Sequence, residues 1–234
     1  MSIRLQELMS EERLDQGYVI ILPGIEGRSF FNRSVARGLA DAGVPYGIEI
    51  YDWTYRWPLF LYNLRSGRLH RQQARRIAER IITYRAGHPA QPVYLIGHSG
   101  GGAISLLSLE ELPADLSVTG AILLGCALSP LFDLERALQR THRGIWNVSS
   151  IGDLLFIAFG TMLFGTVDSK HSISAWLLGF DTSDLDESLR RKLHEVPFRG
   201  EFLRTRNFAG HFGYTARPFV KQYLAPILLT DGSF

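Results

Sequence analysis

One stretch of the chain, residues 93–102, constrains the fold more than any other. It reads Val-Tyr-Leu-Ile-Gly-His-Ser-Gly-Gly-Gly, and a helix-forming run follows it at residues 103–109. A β-prone segment, a tight glycine turn and a helix form the context in which a Gly-x-Ser-x-Gly pattern indicates a nucleophile elbow. The serine of such a turn has a strained backbone at the apex, so its neighbours must be small. Ser99 is therefore predicted to be a nucleophile at the end of a buried strand.

Two other interpretations of this stretch compete with the elbow. A phosphate-binding loop requires Gly-x-x-x-x-Gly-Lys-Ser/Thr, and no lysine lies near residues 93–102. A chance serine in the glycine-rich turn of some other α/β protein is the second alternative. The strand before the motif and the helix after it favour the elbow.

Strand-like and helix-like segments alternate along the rest of the chain. Apolar runs without polar alternation are typical of parallel strands that are buried on both faces. Besides the elbow strand, we predict strands at residues 17–22, 46–51, 118–124, 144–149 and 201–207. Helices are predicted at residues 34–42, 68–85 and 218–224, and from the elbow to near Pro113. This alternation predicts an α/β fold with a doubly wound, mainly parallel sheet of about six strands and helices on both faces.

Composition limits the class of protein. The chain has 234 residues, which suits a single domain over residues 1–234, and a net charge of +2, which gives no general attraction to nucleic acid. The N-terminal segment, residues 1–16, lacks a signal-peptide core, and the longest apolar run, residues 154–164, is too short to span a bilayer. The single cysteine, Cys126, is predicted to be a small core residue. We expect a cytoplasmic protein without a transmembrane segment or nucleic-acid partner, and the sequence leaves its oligomeric state open.

A nucleophilic serine needs a histidine base. His211 is the candidate because it follows the last predicted strand and has glycines on both sides, although capping the final helix is an alternative role. His98 lies inside the elbow and cannot reach round to the hydroxyl of its neighbour. The remaining histidines either precede the serine or lie away from the end of that strand: His70, His88, His142, His171 and His194.

The acid that orients the base should follow the second strand after the elbow. Asp153 comes directly after the predicted strand 144–149, at the edge of the sheet where catalytic residues gather. Asp168 is the rival, but it lies deep in an inserted region, residues 151–200, away from a predicted strand end. Asp153 could also cap the helix that starts after it.

An oxyanion hole needs two backbone donors. The turn after the first strand, residues 23–27, reads Pro-Gly-Ile-Glu-Gly and occupies the position from which the second donor comes in this arrangement. We predict that the backbone N–H groups of Ile25 and Gly100 form the hole. Glu26 is expected to point away from it or to pair with an arginine.

The elbow sequence Gly-His-Ser-Gly-Gly at residues 97–101 resembles that of the α/β-hydrolase superfamily, on the lipase and esterase side. Residues 23–27 resemble the His-Gly-x-x-Gly oxyanion loop of these enzymes, with Pro23 where histidine is common. The resemblance implies a short α/β-hydrolase fold and the triad roles of Ser99, Asp153 and His211. It implies no substrate.

Two apolar stretches are candidates for an acyl pocket: residues 53–62, and the inserted region, which would form a helical cap or extra core. An apolar cap favours ester or acyl substrates over charged peptides. The predicted function is hydrolysis of carboxylic esters through an acyl-enzyme, with no cofactor and no metal. The alternatives are a thioesterase or acyltransferase with the same triad, and a non-catalytic binding protein. The many arginines of the helix at residues 68–85 are interpreted as a solvated face rather than an anion site.

Overall fold

Within the residues that the structure describes, a single sheet of six parallel strands forms the centre of the protein, in the order β2-β1-β3-β4-β5-β6. The computed structural model describes residues 5–55, 59–149 and 179–230. The strands are β1 (Tyr18–Leu22), β2 (Gly47–Ile50), β3 (Val93–His98), β4 (Gly120–Leu124), β5 (Ile145–Ser149) and β6 (Leu193–Pro197). The predicted doubly wound α/β architecture is confirmed.

Helices cover both faces of this sheet. In chain order they are α1 (Glu11–Leu14), α2 (Phe30–Asp41), α3 (Phe60–Arg65), α4 (Gly67–Gly87), α5 (Gly100–Glu110), α6 (Glu135–Gln139), α7 (Glu187–Arg190), α8 (Arg217–Phe219) and α9 (Ala225–Leu229). A π-helical turn, Val220–Leu224, joins α8 to α9. The described residues also form 3-10 helices at Leu5–Met9, Gly200–Thr205 and Gly213–Thr215.

Two apolar cores lie on opposite faces of the sheet. Alternate side chains of β1 enter different cores, Ile20 the first and Ile21 the second, because successive side chains of a strand point to opposite faces. The first core contains side chains of α4, α5, α6 and α7, and the second contains side chains of α2, α8 and α9. Cys126 is fully buried in the first core, as predicted.

The strand order places a switch point between β1 and β3. After β1 the chain crosses to β2 on one side and then returns to form β3 on the other side. The crevice between the carboxyl ends of two such strands is where open α/β sheets bind ligands. Leu22 pairs with Gly97 in the register of β1 and β3, so the turn after β1 and the elbow after β3 meet at this crevice.

The prediction of the sixth strand was wrong. Residues 201–207 were expected to form it, but most of them belong to the 3-10 helix Gly200–Thr205, which ends at a left-handed Arg206 with φ 62°. The actual strand, β6, lies in the stretch 151–200 that was expected to hold no strong strand. β6 is an edge strand in which only Val196 is buried, so its sequence lacks the apolar run that predicted the inner strands.

The proposed cap lies largely outside the described residues, because residues 150–178 fall in the gap. Residues 179–200 at its C-terminal end carry α7 and β6, and the cap stays a prediction. Across the described ranges, no helix combines the length and the apolar character needed to cross a bilayer.

Candidate active site

Ser99 lies at the apex of the turn between β3 and α5. Its backbone angles are φ 53° and ψ −119°, a conformation that costs a residue with a side chain roughly 1–3 kcal/mol. The residue is partly exposed, whereas His98 before it and Gly100 after it are buried. The strand, turn and helix predicted for the nucleophile elbow are confirmed.

The glycines of the elbow are required by close packing. A Cβ atom on Gly97 would lie 2.5 Å from Oγ of Ser105 in α5. One on Gly101 would lie 2.6 Å from the backbone carbonyl carbon of Leu22 at the end of β1. Because any side chain at either position would collide with an adjacent element, the sequence around Ser99 cannot vary freely.

The turn after β1 lies directly against the elbow. A Cβ atom on Gly100 would lie 3.7 Å from the backbone nitrogen of Ile25 and 3.1 Å from its Cγ2. Gly100 is the first residue of α5, so its N–H lies at the positive end of that helix. The two N–H groups predicted to form an oxyanion hole therefore belong to residues that lie side by side in the fold.

Two buried side chains hold this turn in place. Trp53 Nε1 donates a hydrogen bond of 2.7 Å to the carbonyl oxygen of Pro23, and Asn63 Nδ2 donates one of 3.1 Å to that of Ile25. The same amide group of Asn63 also bonds the backbone of Tyr55, donating at 2.8 Å and accepting at 2.8 Å. Trp53 and Asn63 are each 1% exposed.

Neither role was predicted from the sequence. Residues 53–62 were assigned to an acyl pocket, but Trp53 is buried, with Cζ2 3.3 Å from the position of a Cβ atom on Gly100. The available signal was the single amide in an apolar helix, Asn63 in α3, because a buried polar side chain has to be hydrogen-bonded.

His211 lies at the carboxyl end of β4. Its Nδ1 is 3.3 Å from the position of a Cβ atom on Gly125, the residue that follows β4. The backbone N–H of Ser99 donates to the carbonyl oxygen of Leu124, the last residue of β4, at 2.9 Å. The fold thus brings the serine and the histidine to the same end of one strand, although the strand predicted before His211 was wrong. Burial, and then the neighbouring His98, hold the pKa of His211 well below its usual range.

His98 joins the elbow to the histidine loop. It is 3% exposed, and its Nε2 donates a 2.9 Å hydrogen bond to the carbonyl oxygen of His211. The two imidazole rings lie 4.7 Å apart between centroids. On the other side, His98 Nδ1 is 3.7 Å from Oε1 of Glu26. Glu26 was expected to point away from the oxyanion hole or to pair with an arginine; the basic group nearest to it among the described residues is this histidine rather than an arginine.

The predicted acid lies outside the described residues. Asp153 and its rival Asp168 both fall in residues 150–178, outside the described ranges, so the choice between them stays a prediction. Within the described ranges, no cluster of three histidine, cysteine or carboxylate side chains could hold a metal ion.

Comparisons with known proteins support the architecture. The sequence matches no protein-family model and no curated protein sequence. Among solved structures, it is similar to a dienelactone hydrolase-like promiscuous phosphotriesterase from metagenomic libraries, with 15% identity, a TM-score of 0.56, and coverage of 91% of this chain and 85% of that one. It is also similar to a dienelactone hydrolase from Anabaena variabilis, with 18% identity, a TM-score of 0.53, and coverage of 92% and 86%.

A third similar structure is lipase B of Aspergillus fumigatus, with 13% identity and a TM-score of 0.58. The alignment covers 97% of this chain and 57% of the lipase. Identities this low carry information about architecture alone. With its six parallel strands, its strained serine between β3 and α5, and these structural matches, the chain has the fold of the α/β-hydrolase superfamily.

Proposed function

We propose that the protein is a serine hydrolase that cleaves carboxylic esters. The observation that carries this proposal is the backbone of Ser99, held at φ 53° and ψ −119° between β3 and α5. A strained residue persists only where its surroundings enforce it, and such residues cluster at active sites. The adjacent Ile25 backbone and the nearby His211 ring add the other groups that acyl transfer requires.

In the proposed reaction, Ser99 attacks the ester carbonyl and His211 accepts its proton. The backbone N–H groups of Ile25 and Gly100 stabilise the oxyanion. His211 then protonates the leaving alcohol, and water hydrolyses the acyl-enzyme by the same route. Asp153 is the proposed carboxylate that fixes the tautomer of His211. A small-molecule ester is the proposed substrate class.

A fluorophosphonate probe tests the proposal because it labels only an activated serine. We expect labelling of the protein and none of the Ser99→Ala variant. A panel of p-nitrophenyl esters of rising chain length then defines the acyl preference. If the folded protein is not labelled, the interpretation that remains is a non-catalytic binding protein on a hydrolase scaffold. Labelling with turnover of thioesters, or transfer to alcohols in preference to water, would instead identify a thioesterase or an acyltransferase.

The acid is tested by a matched pair of variants. Asp153→Asn should lower kcat by roughly four orders of magnitude, because the histidine would then take the wrong tautomer. Asp168→Asn should have a much smaller effect. The reverse ranking would assign the acid to Asp168.

A further inference from the structure

Helix α4 carries more positive charge than the whole protein. Its residues, Gly67–Gly87, include six arginines and one glutamate, a formal charge of +5. The chain as a whole has a charge of +2, so everything outside α4 sums to −3. The excess positive charge therefore lies on one helix, on one face of the sheet.

The arginines in the C-terminal half of α4 have structural partners. Arg80 forms an ion pair with Glu49 on β2 at 3.2 Å and lies over the ring of Tyr51, 5.0 Å from its centroid. Arg85 donates hydrogen bonds to the backbone carbonyl oxygens of Pro89, Gln91 and Ser117. These two side chains are explained by the fold.

The arginines in the N-terminal half have fewer structural partners, although Arg76 interacts with the side chain of Tyr51. Arg68, Arg71, Arg75 and Arg76 are exposed and, with Gln72 and Glu79, line one surface groove of about 410 Å³; we call these four arginines the arginine face. Arg75 is 3.3 Å from Glu111, but both side chains are substantially exposed, so this pair is weak. No carboxylate within the described part of the chain forms an ion pair with Arg68 or Arg71.

The arginine face is unfavourable for the helix itself. Arg68 lies in the first turn of α4, at the positive end of the helix dipole, and this turn contains no acidic residue to offset its charge. Like charges three and four residues apart, such as Arg71 and Arg75, add repulsion. A sequence feature that lowers the stability of its own helix and gains no strong contact elsewhere in the fold is typical of a functional surface.

An exposed apolar patch precedes the arginine face in the chain. Tyr55, Leu59 and Tyr62 are 48%, 49% and 45% exposed, and the two tyrosine rings lie 5.6 Å apart between centroids; we call these three residues the aromatic patch. Tyr62 belongs to α3, which a single residue separates from α4. Arg71 Nη1 lies 3.8 Å from the position of a Cβ atom on Gly67, the first residue of α4, so the guanidinium extends back towards α3.

We propose that the arginine face and the aromatic patch form a docking surface for an anionic phospholipid bilayer. Guanidinium groups bind phosphate oxygens through paired hydrogen bonds, and a basic surface is attracted to anionic lipids. Tyrosine and leucine side chains beside it supply the amphipathic and apolar contacts found at a membrane interface. Leu59 cannot stack on a base as flat side chains do, so its exposure favours a bilayer over a nucleic acid.

The position of the patch also favours a bilayer. Asn63 bonds both the backbone of Tyr55 in the patch and the carbonyl oxygen of Ile25 in the turn beside the elbow. A docked protein would therefore hold its candidate active site near the lipid surface. Only this last point rests on the proposed function, since the docking itself needs no catalysis.

Co-sedimentation with vesicles tests the proposal. All proteins carry Ser99→Ala, so that no lipid is hydrolysed. One set of vesicles contains phosphatidylcholine alone, and the other contains phosphatidylcholine with phosphatidylserine. We expect binding to the mixed vesicles that weakens with added salt, and little binding to the neutral ones. The triple variant Arg68→Gln, Arg71→Gln, Arg75→Gln should bind the mixed vesicles roughly a hundredfold more weakly, since each arginine near an anionic surface changes affinity by about fivefold.

A matched control removes the same charge from the other side of the sheet. The triple variant Arg33→Gln, Arg37→Gln, Arg204→Gln changes exposed arginines of α2 and of the Gly200–Thr205 helix. It should bind the mixed vesicles as the parent does. Leu59→Ser combined with Tyr62→Ser should weaken the binding that survives high salt. Circular dichroism checks that each variant is folded.

Three results would overturn the proposal. The first is equal loss of binding in both triple variants, which would mean a net-charge effect. The second is no preference for the mixed vesicles over the neutral ones. The third is tighter binding of a single-stranded RNA oligonucleotide than of the mixed vesicles, lost in the α4 triple variant, which would make the partner a nucleic acid.

Discussion

At the residue scale, Ser99 holds a backbone conformation that its own side chain disfavours. The conformation persists because Gly97 packs against Ser105 of α5 and Gly101 packs against the end of β1. The strand, the helix and the neighbouring strand together leave the turn no other path. The strain is therefore a consequence of packing, and it should be measurable as stability.

Relief of this strain is the first prediction. The free energy of unfolding of Ser99→Gly should exceed that of Ser99→Ala by roughly 1 kcal/mol. Glycine accepts φ 53° without a side-chain clash, and the strain energy this releases is larger than the cost of glycine's greater conformational entropy in the unfolded chain. Urea denaturation of both variants measures the difference. A glycine variant that is less stable than the alanine variant would argue against strain at this position.

The second prediction concerns the ionisation of His211. As the base, it has to be neutral, and its pKa lies well below the usual histidine range because burial and the nearby His98 disfavour its charged form. Activity should therefore rise with pH through a step below the unperturbed value of about 6.5 and then stay level towards higher pH. The pH dependence of kcat/KM on a soluble ester measures this step.

Two substitutions control that measurement. His211→Gln should remove both the activity and the pH step. His194→Gln should leave the step in place, because His194 lies on β6 against Trp146 and bonds the carbonyl oxygen of Arg143. A step that disappears in the His194 variant and remains in the His211 variant would assign the base elsewhere.

At the scale of elements, the turn after β1 depends on residues from two later segments. The backbone carbonyl groups of Pro23 and Ile25 are fixed by Trp53 and Asn63, and Asn63 itself is fixed by Tyr55 and by His70, whose Nε2 donates to the Asn63 carbonyl oxygen at 2.6 Å. The N–H of Ile25 belongs to the peptide that lies between these two anchored peptides, so its direction is limited from both sides. These contacts position the proposed oxyanion donor.

The third prediction follows from these bonds. Trp53→Phe and Asn63→Ala should each lower kcat by roughly ten- to a hundredfold with a smaller change in KM, because a misplaced oxyanion donor weakens transition-state binding more than substrate binding. Steady-state kinetics on a p-nitrophenyl ester measures the effect.

Matched variants separate positioning from general destabilisation. Asn32→Ala removes another buried asparagine, which accepts a hydrogen bond from the Ser29 backbone. Trp146→Phe removes another buried indole, in the second core. Both should lower stability and leave kcat near its original value. Equal losses of kcat in test and control variants would show that Trp53 and Asn63 act only through the fold.

At the scale of the whole molecule, the burial of two histidines among the described residues links stability to pH. Burial lowers the pKa of His70 and, together with His98, that of His211. The unfolded chain binds a proton at each position at about pH 6.5, whereas the folded chain does so only at lower pH. The unfolded state therefore gains protons first as pH falls, and the folded state loses stability.

The fourth prediction is a loss of stability between about pH 7.5 and 5.5, of the order of 1 kcal/mol, measured with every protein in a Glu110→Gln background. Burial raises the pKa of Glu110 to about 7, so its protonation in the folded state would otherwise stabilise the protein over the same range and offset the loss. Urea denaturation across this range measures it. His70→Gln should reduce the slope of stability against pH, whereas His142→Gln, at an exposed position, should not. Stability that rises as the pH falls would contradict the assignment of neutral buried histidines.

The sequence by itself determined the features whose causes are local. The elbow depends on glycines two residues on either side of Ser99, and the inner strands depend on apolar runs that are continuous along the chain, so both could be predicted. Only the tertiary structure decided the edge strand β6 and the residues that hold the site. Asn63 bonds Ile25 across 38 residues, and His98 bonds His211 across 113. No local pattern encodes such pairs, because their partners become neighbours only after the sheet has assembled.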